Sequence, residues 1–195
     1  AFLGGKCSAC KTGISWHYPA VELITGILFA VCFWRFGVSM ELGFALVFTA
    51  ALVALSGIDL RTTLLPDQIV LPLLWLGLLA SLITLFVDPV SAILGASVGY
   101  LSLWSVTKLF KLITGKDGMG AGDFKLLAVI GAWCGVKAIL PVVLLSSFVG
   151  IWLATAGKHR DTQIPFGQYL AIAGWLQFIA GVDFLGLYLA WAAGG

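Results

Sequence analysis

Seven long apolar runs constrain this chain more than any other feature of its sequence. A membrane-spanning helix needs roughly 17–25 predominantly apolar residues, and only 10% of these 195 residues are charged, against roughly a quarter in soluble domains. The sequence therefore predicts an all-α fold, a polytopic transmembrane helical bundle with about seven spans. The predicted spans lie at about residues 20–38, 41–58, 69–87, 90–110, 123–136, 138–157 and 167–191.

Glycine spacing within these runs indicates close helix packing. Gly95 and Gly99 are four residues apart in one run, and Gly131 and Gly135 have the same spacing in another. Small residues at this spacing allow two helix backbones to approach closely in a membrane. The fifth run is short, so we expect it to begin where protein, rather than lipid, shields its backbone.

The basic residues are distributed very unevenly between the two ends of the predicted spans. Membrane proteins retain Lys and Arg on the cytoplasmic side, so the richer face is predicted to be cytoplasmic. The same residues are scattered over several loops, so we expect no nucleic-acid partner. Of the 11 Lys and Arg residues, only Arg35 and Lys137 fall on the opposite face; the cytoplasmic set is Lys6, Lys11, Arg61, Lys108, Lys111, Lys116, Lys125, Lys158 and Arg160.

Two aspartates, far apart in sequence, are predicted to lie at this same cytoplasmic level. Asp59 ends the second run, and Asp123 opens the fifth directly after Gly120-Ala121-Gly122. A carboxylate in a membrane helix is costly and is commonly functional. Two carboxyl groups that share one proton can hydrolyse a peptide, because one activates water while the other protonates the carbonyl oxygen. The sequence does not indicate which aspartate takes which role.

The glycines beside Asp123 favour this catalytic interpretation. Gly120 and Gly122 have no Cβ, so unusual backbone conformations and the close approach of a substrate backbone both become possible. We therefore predict Asp59 and Asp123 as catalytic residues, with Gly120 and Gly122 binding the substrate.

Each aspartate also has a structural alternative. Asp123 is placed to cap its own helix, and Asp59 is placed to pair with Arg61 or to be solvated. Intramembrane carboxylates also serve ion-coupled transporters. Transporters, however, typically have repeated halves and sites at the midplane, and this sequence has no internal repeat.

Several further residues have two possible roles. Asp67 follows Pro66 and precedes an apolar run, which is typical of a helix N-cap; it is also the alternative catalytic carboxylate. Lys125 is expected to extend to the membrane interface, with an interaction with substrate or with a neighbouring carboxylate as the second possibility. Glu22 is predicted to cap a helix start, with substrate binding as its alternative.

The N-terminal segment contains half of a potential zinc site. Cys7 and Cys10 have the spacing of a zinc knuckle, but a structural zinc ion usually has four ligands. Cys32 and Cys134 lie inside predicted spans, where cysteine behaves as a small buried hydrophobe. We divide the chain into a cytoplasmic segment, residues 1–18, and a transmembrane domain, residues 19–195.

The ordered motifs of the chain resemble those of the type IV prepilin peptidases, bacterial inner-membrane aspartyl proteases of the GxGD class. The resemblance covers nearly the whole chain. Its pieces are Gly4-Gly5-Lys6-Cys7-Ser8-Ala9-Cys10, Tyr18-Pro19-Ala20-Val21-Glu22-Leu23, Ile58-Asp59, Leu64-Leu65-Pro66-Asp67, Leu71-Pro72-Leu73-Leu74-Trp75, the stretch from Gly115 to Lys125, and Ile164-Pro165-Phe166-Gly167.

This resemblance implies a function and a site. It implies that Asp59 and Asp123 are catalytic and that the motif containing Pro165 lies beside them. It also implies that the basic leader of type IV prepilins and of type II secretion pseudopilins is cut after a glycine, on the cytoplasmic side of the bacterial inner membrane. No cofactor is expected for this proteolysis.

The resemblance further implies that the chain is N-terminally truncated. Bifunctional members of the family begin with another membrane helix and a second Cys pair. Zinc would then be bound by Cys7, Cys10 and the missing pair, and S-adenosylmethionine would serve to methylate the new N-terminus. Methyltransferase function alone is the alternative to proteolysis, and the oligomeric state is left open.

Overall fold

A computed structural model describes residues 15–115, 120–155 and 166–181, and over these residues every predicted span corresponds to a helix. The predicted all-α fold is confirmed. The helices are α1 (His17–Phe36), α2 (Met40–Thr62), α3 (Asp67–Leu82), α4 (Pro89–Thr114), α5 (Ala121–Cys134), α6 (Ile139–Thr155) and α7 (Phe166–Ala180), and a short 3₁₀ turn, Val136–Ala138, leads into α6.

Three of these helices are long and apolar enough to cross a membrane by length and composition, namely α1, α2 and α4. The other four have 14 to 17 residues. Many large apolar side chains are exposed, among them Leu79, Leu144 and Phe148. A soluble protein rarely exposes so much apolar surface, so this surface fits a chain surrounded by lipid.

The chain forms two compact units, Ala1–Ala50 and Ala51–Gly195, and the boundary falls inside α2. In the first unit, Cys32 is buried, and its Sγ lies 3.3 Å from Thr49 Oγ1. The second unit contains the C-terminal part of α2 and all the later helices.

Helix α5 lies at the centre of the second unit. It packs most extensively on α4 and also contacts α3 and α7. Ten of its 14 residues are buried, beginning at Asp123. The expectation that this short helix is shielded by protein is therefore confirmed.

Glycines bring α4 and α5 into backbone contact, as their spacing predicts. A Cβ atom on Gly95 would collide with the Gly131 carbonyl, and one on Gly131 would collide with the Gly95 carbonyl. Further along the same interface, a Cβ on Gly99 would lie 2.7 Å from the Leu127 carbonyl oxygen. The two helices can thus approach this closely only because no side chains separate their backbones.

Trp133 joins the far end of α5 to α3. Its indole packs directly on Gly77, where a Cβ atom would collide with the ring. Its Nε1–H donates a hydrogen bond of 2.9 Å to the Leu73 carbonyl oxygen. Because the indole N–H is a strong donor that needs a partner when buried, this bond stabilises the position of α5 on α3.

We expect Gly131→Ala to destabilise the protein by about 1–3 kcal/mol, because the added methyl group forces α4 and α5 apart. Thermal unfolding in detergent should show a lower Tm. The matched control is Gly43→Ala in α2, where an added Cβ meets no atom within 4 Å. A Tm for Gly131→Ala equal to that of the control would contradict the backbone contact.

Candidate active site

Asp59 lies in the last turn of α2, and its side chain is directed into the protein. The residue is only 4% exposed. Its Oδ2 accepts a hydrogen bond of 3.0 Å from the backbone N–H of Gln168, in the first turn of α7. The first N–H groups of a helix have no partner within the helix and attract negative charge. Asp59 therefore is not solvated; it is held against the N-terminus of α7.

Asp123 lies in the first turn of α5 and is 8% exposed. The N-cap position of this helix belongs to Gly120, and Gly120 makes no side-chain capping bond. The structural alternative, in which Asp123 is the N-cap of its own helix, is therefore wrong. Its carboxyl group lies in a largely buried environment, which carries a free-energy cost unless the group has a partner or a function.

The two carboxyl groups meet beside Gly167, in the first turn of α7. The position that a Cβ atom on Gly167 would occupy is 3.0 Å from Asp59 Oδ2 and 3.1 Å from Asp123 Oδ1. Both carboxyl oxygens therefore border the same point, and the distance between them cannot exceed the sum of those two distances. The structure thus brings together the two aspartates that the sequence pairs.

The glycines that precede Asp123 differ from each other in their surroundings. A Cβ on Gly122 would lie 2.8 Å from Leu65 Cβ, whereas one on Gly120 would meet no atom of the described residues within 4 Å. Gly120 has a φ of −71°, which any residue adopts. Gly122 therefore makes room for Leu65, while Gly120 borders open space; neither glycine is needed for a left-handed backbone conformation.

Leu65 contacts the site from the loop between α2 and α3. Its Cδ1 lies 3.0 Å from the Cβ position of Gly167, the same point that both carboxyl oxygens approach. Sequence reasoning missed both Leu65 and Gln168. One is an ordinary apolar residue in an apolar chain, and the other contributes only a backbone N–H.

Asp67 and Lys125 form an ion pair next to the site. Lys125 Nζ lies 2.7 Å from Asp67 Oδ1 and 2.8 Å from Oδ2. The prediction of Asp67 as an N-cap is wrong, because Pro66 occupies that position and Asp67 is the first helical residue of α3. For Lys125, the structure shows the second possibility, an interaction with a neighbouring carboxylate.

The remaining candidates lie away from this pair or outside the described residues. Glu22 is exposed in α1, which begins at His17 and has no acidic residue in its first turn, so its prediction as a helix cap is wrong. Its substrate-binding role stays a prediction. Pro165, Cys7 and Cys10 lie outside the described residues.

Within the part of the chain that the structure describes, no three His, Cys, Asp or Glu side chains cluster as metal ligands would. Cys134 is half-buried at the end of α5. The expectations of zinc and of S-adenosylmethionine depend on the N-terminal segment and stay predictions.

Two family profiles and several relatives that share one name match this chain. The profile of the Type IV leader peptidase family matches residues 46–155, and that of the bacterial peptidase A24 N-terminal domain matches residues 1–36. The chain is 54% identical to the prepilin leader peptidase/N-methyltransferase of Xanthomonas campestris, over 97% of this chain and 68% of the relative. No solved structure matches this chain significantly.

Two further relatives carry the same name. The protein of Stutzerimonas stutzeri is 51% identical over 97% of this chain and 68% of its own length. The protein of Pseudomonas aeruginosa is 51% identical over 97% of this chain and 67% of its own length.

We expect the Asp67–Lys125 pair to contribute about 0.5–1 kcal/mol of coupling energy, since both carboxylate oxygens contact the ammonium group while both side chains keep some exposure to solvent. A double-mutant cycle measures this coupling by thermal unfolding in detergent. It consists of Asp67→Asn, Lys125→Met and the variant that carries both substitutions. Asp67→Asn combined with Lys108→Met is the control, because Lys108 lies over the Trp104 ring. Equal coupling in both cycles would contradict a specific pair.

Proposed function

Since the chain belongs to the Type IV leader peptidase family, we propose that it is a membrane aspartyl endopeptidase that removes the leader from type IV prepilins and type II secretion pseudopilins. The observation that carries this proposal is the convergence of Asp59 and Asp123 beside Gly167. Two carboxyl groups that converge on one place are the arrangement that acid–base hydrolysis of a peptide bond requires.

The proposed mechanism divides two proton transfers between the carboxyl groups. Two neighbouring carboxylates repel each other when both are ionised, so a state with one shared proton is favoured. The ionised group accepts a proton from water while the water oxygen attacks the scissile carbonyl carbon. The protonated group donates its proton to the carbonyl oxygen. The tetrahedral intermediate then breaks at its C–N bond. The carboxyl group that took the proton from water passes it to the leaving amine, and the other carboxyl group takes back a proton from a hydroxyl of the intermediate, which restores the starting state of the pair.

The surroundings of the two carboxyl groups are consistent with one group accepting a proton and the other donating one. The Gln168 N–H fixes the orientation of one Asp59 oxygen, while burial limits access of bulk water to both groups. Fixed dipoles in a site with little water stabilise developing charge more effectively than solvent does. The open space beside Gly120 is a suitable approach for an extended substrate backbone.

We place the site on the cytoplasmic face of the bacterial inner membrane. The support is the excess of Lys and Arg at that level of the chain. A prepilin with a basic leader and an apolar helix would be held in the same membrane, so its cleavage site would reach the pair from the bilayer surface.

The shared name of the relatives also includes N-methyltransferase activity. We propose that the protein also methylates the new N-terminus from S-adenosylmethionine, and that Cys7 and Cys10 bind zinc together with further Cys ligands. Labelled S-adenosylmethionine with processed pilin would test methylation, and the metal content of a Cys7→Ser, Cys10→Ser variant would test zinc binding.

We expect Asp59→Asn and Asp123→Asn each to reduce prepilin cleavage at least about 100-fold, because neither amide can exchange the required proton. The amide introduced by Asp59→Asn would retain an oxygen that accepts the Gln168 N–H, so folding should be preserved. The assay uses the chain in liposomes with a prepilin that one of the relatives processes, and that relative is the positive control. Full cleavage by either variant would exclude the pair as the catalytic groups.

We expect Gly167→Ala to reduce kcat by up to about 100-fold, because the carboxyl oxygens 3.0–3.1 Å from the added methyl group must move aside, and a misplacement that reaches about 1 Å costs that factor. Gly57→Ala is the matched control, since it lies in the same turn region of α2 as Asp59 and an added Cβ meets no atom within 4 Å. The same cleavage assay serves both variants. Equal rates for the two would show that the space beside Gly167 is unimportant for catalysis.

A further inference from the structure

Leu65 is the apolar side chain nearest to the point at which the carboxyl groups converge. Its Cδ1 and the two oxygens, Asp59 Oδ2 and Asp123 Oδ1, all lie 3.0–3.1 Å from the Cβ position of Gly167. On its other side, Leu65 packs against Gly122, where an added Cβ would lie 2.8 Å from Leu65 Cβ and 3.2 Å from Leu65 Cδ1. One isobutyl group thus fills the space between the first turns of α5 and α7.

The loop holds Leu65 in this position from both sides. Before it, Thr63 has a φ of +53°, which is a strained conformation for a β-branched residue, and its N–H donates to the Asp59 carbonyl oxygen at 2.8 Å. After it, Pro66 restricts the backbone of Leu65 to extended conformations. The Asp67–Lys125 pair then joins the start of α3 to α5. Leu65 is therefore held in position and forms one wall of the site.

We propose that Leu65 determines specificity by limiting the size of the substrate residue that precedes the scissile bond. This inference rests on the proposed function and names the residue that restricts its substrates. That substrate residue carries the carbonyl group under attack, so its Cβ lies within about 2.5 Å of the reacting carbon. A side chain so close to the carboxyl pair must share space with the Leu65 methyl groups.

Leu65 selects among substrates by excluding larger side chains from the space beside the carboxyl pair. Gly122 and Gly167 have no side chains that could move aside, and Leu65 already fills the space that they leave. A substrate glycine would fit beside Leu65, whereas each added carbon would displace it or shift the scissile carbonyl away from the carboxyl groups. Removing the isopropyl part of Leu65 should create room for a small side chain.

The experiment compares prepilins that differ only at the residue before the cleavage site: glycine, alanine, serine and valine. With the wild-type chain in liposomes, we expect kcat/KM for glycine to exceed that for alanine by about 10–200-fold. Leu65→Ala should lower the ratio of kcat/KM for glycine to that for alanine by at least about 10-fold, and Leu65→Val should lower the same ratio by a smaller factor. Leu65→Met, which keeps the side-chain volume, should retain the wild-type ratio.

Leu64→Ala is the neighbouring control, because Leu64 is 68% exposed. Thermal unfolding of each variant separates loss of folded protein from altered specificity, since unfolding lowers kcat/KM for all four substrates by one common factor. An unchanged ratio in both Leu65→Ala and Leu65→Val, or an equal change in Leu64→Ala, would overturn the proposal. A wild-type chain that cleaves no prepilin where the relative does would instead overturn the proposed function, and the Leu65 proposal with it.

Discussion

The absence of a side chain at Gly167 is the constraint on which the candidate site depends. The end of α2, the start of α5 and the loop before α3 all place an atom 3.0–3.1 Å from the same missing Cβ. A methyl group there would force at least one of the three away. The backbone of α7 can therefore lie against two carboxyl groups, and its second contribution, the Gln168 N–H, reaches Asp59 only because that approach is possible.

The position of Asp123 depends in turn on how α5 is held along its length. At one point α5 touches α4 backbone to backbone through Gly131 and Gly95. Near its end, Trp133 binds the Leu73 carbonyl on α3. A short helix with ten of its 14 residues buried cannot slide or rotate without losing these contacts. The packing far from the carboxyl pair thus sets the depth and direction at which Asp123 enters the site.

Sequence reasoning located the helices and the pair because both leave a signal along the chain. Apolar runs mark the helices, and the charge bias with the span count places Asp59 and Asp123 at one level. The contacts of Leu65 and Gln168 leave no such signal. Every residue except proline carries a backbone N–H, and the partner of the Gln168 N–H is 109 residues away. The ion pair of Asp67 also leaves no signal along the chain, because its partner Lys125 lies 58 residues further on.

The two glycines of the Gly120-Ala121-Gly122-Asp123 motif have different surroundings in the structure, a difference that the sequence alone does not reveal. Gly122 is needed because Leu65 occupies the space where its side chain would be, so it belongs to the wall of the site. Gly120 is exposed, and among the described residues an added Cβ there would meet no atom within 4 Å. In the proposed function, the exposed backbone at Gly120 would be open to the peptide, while Gly122 would allow Leu65 to lie beside the carboxyl pair, so the same short motif would both admit the peptide and limit its side chain.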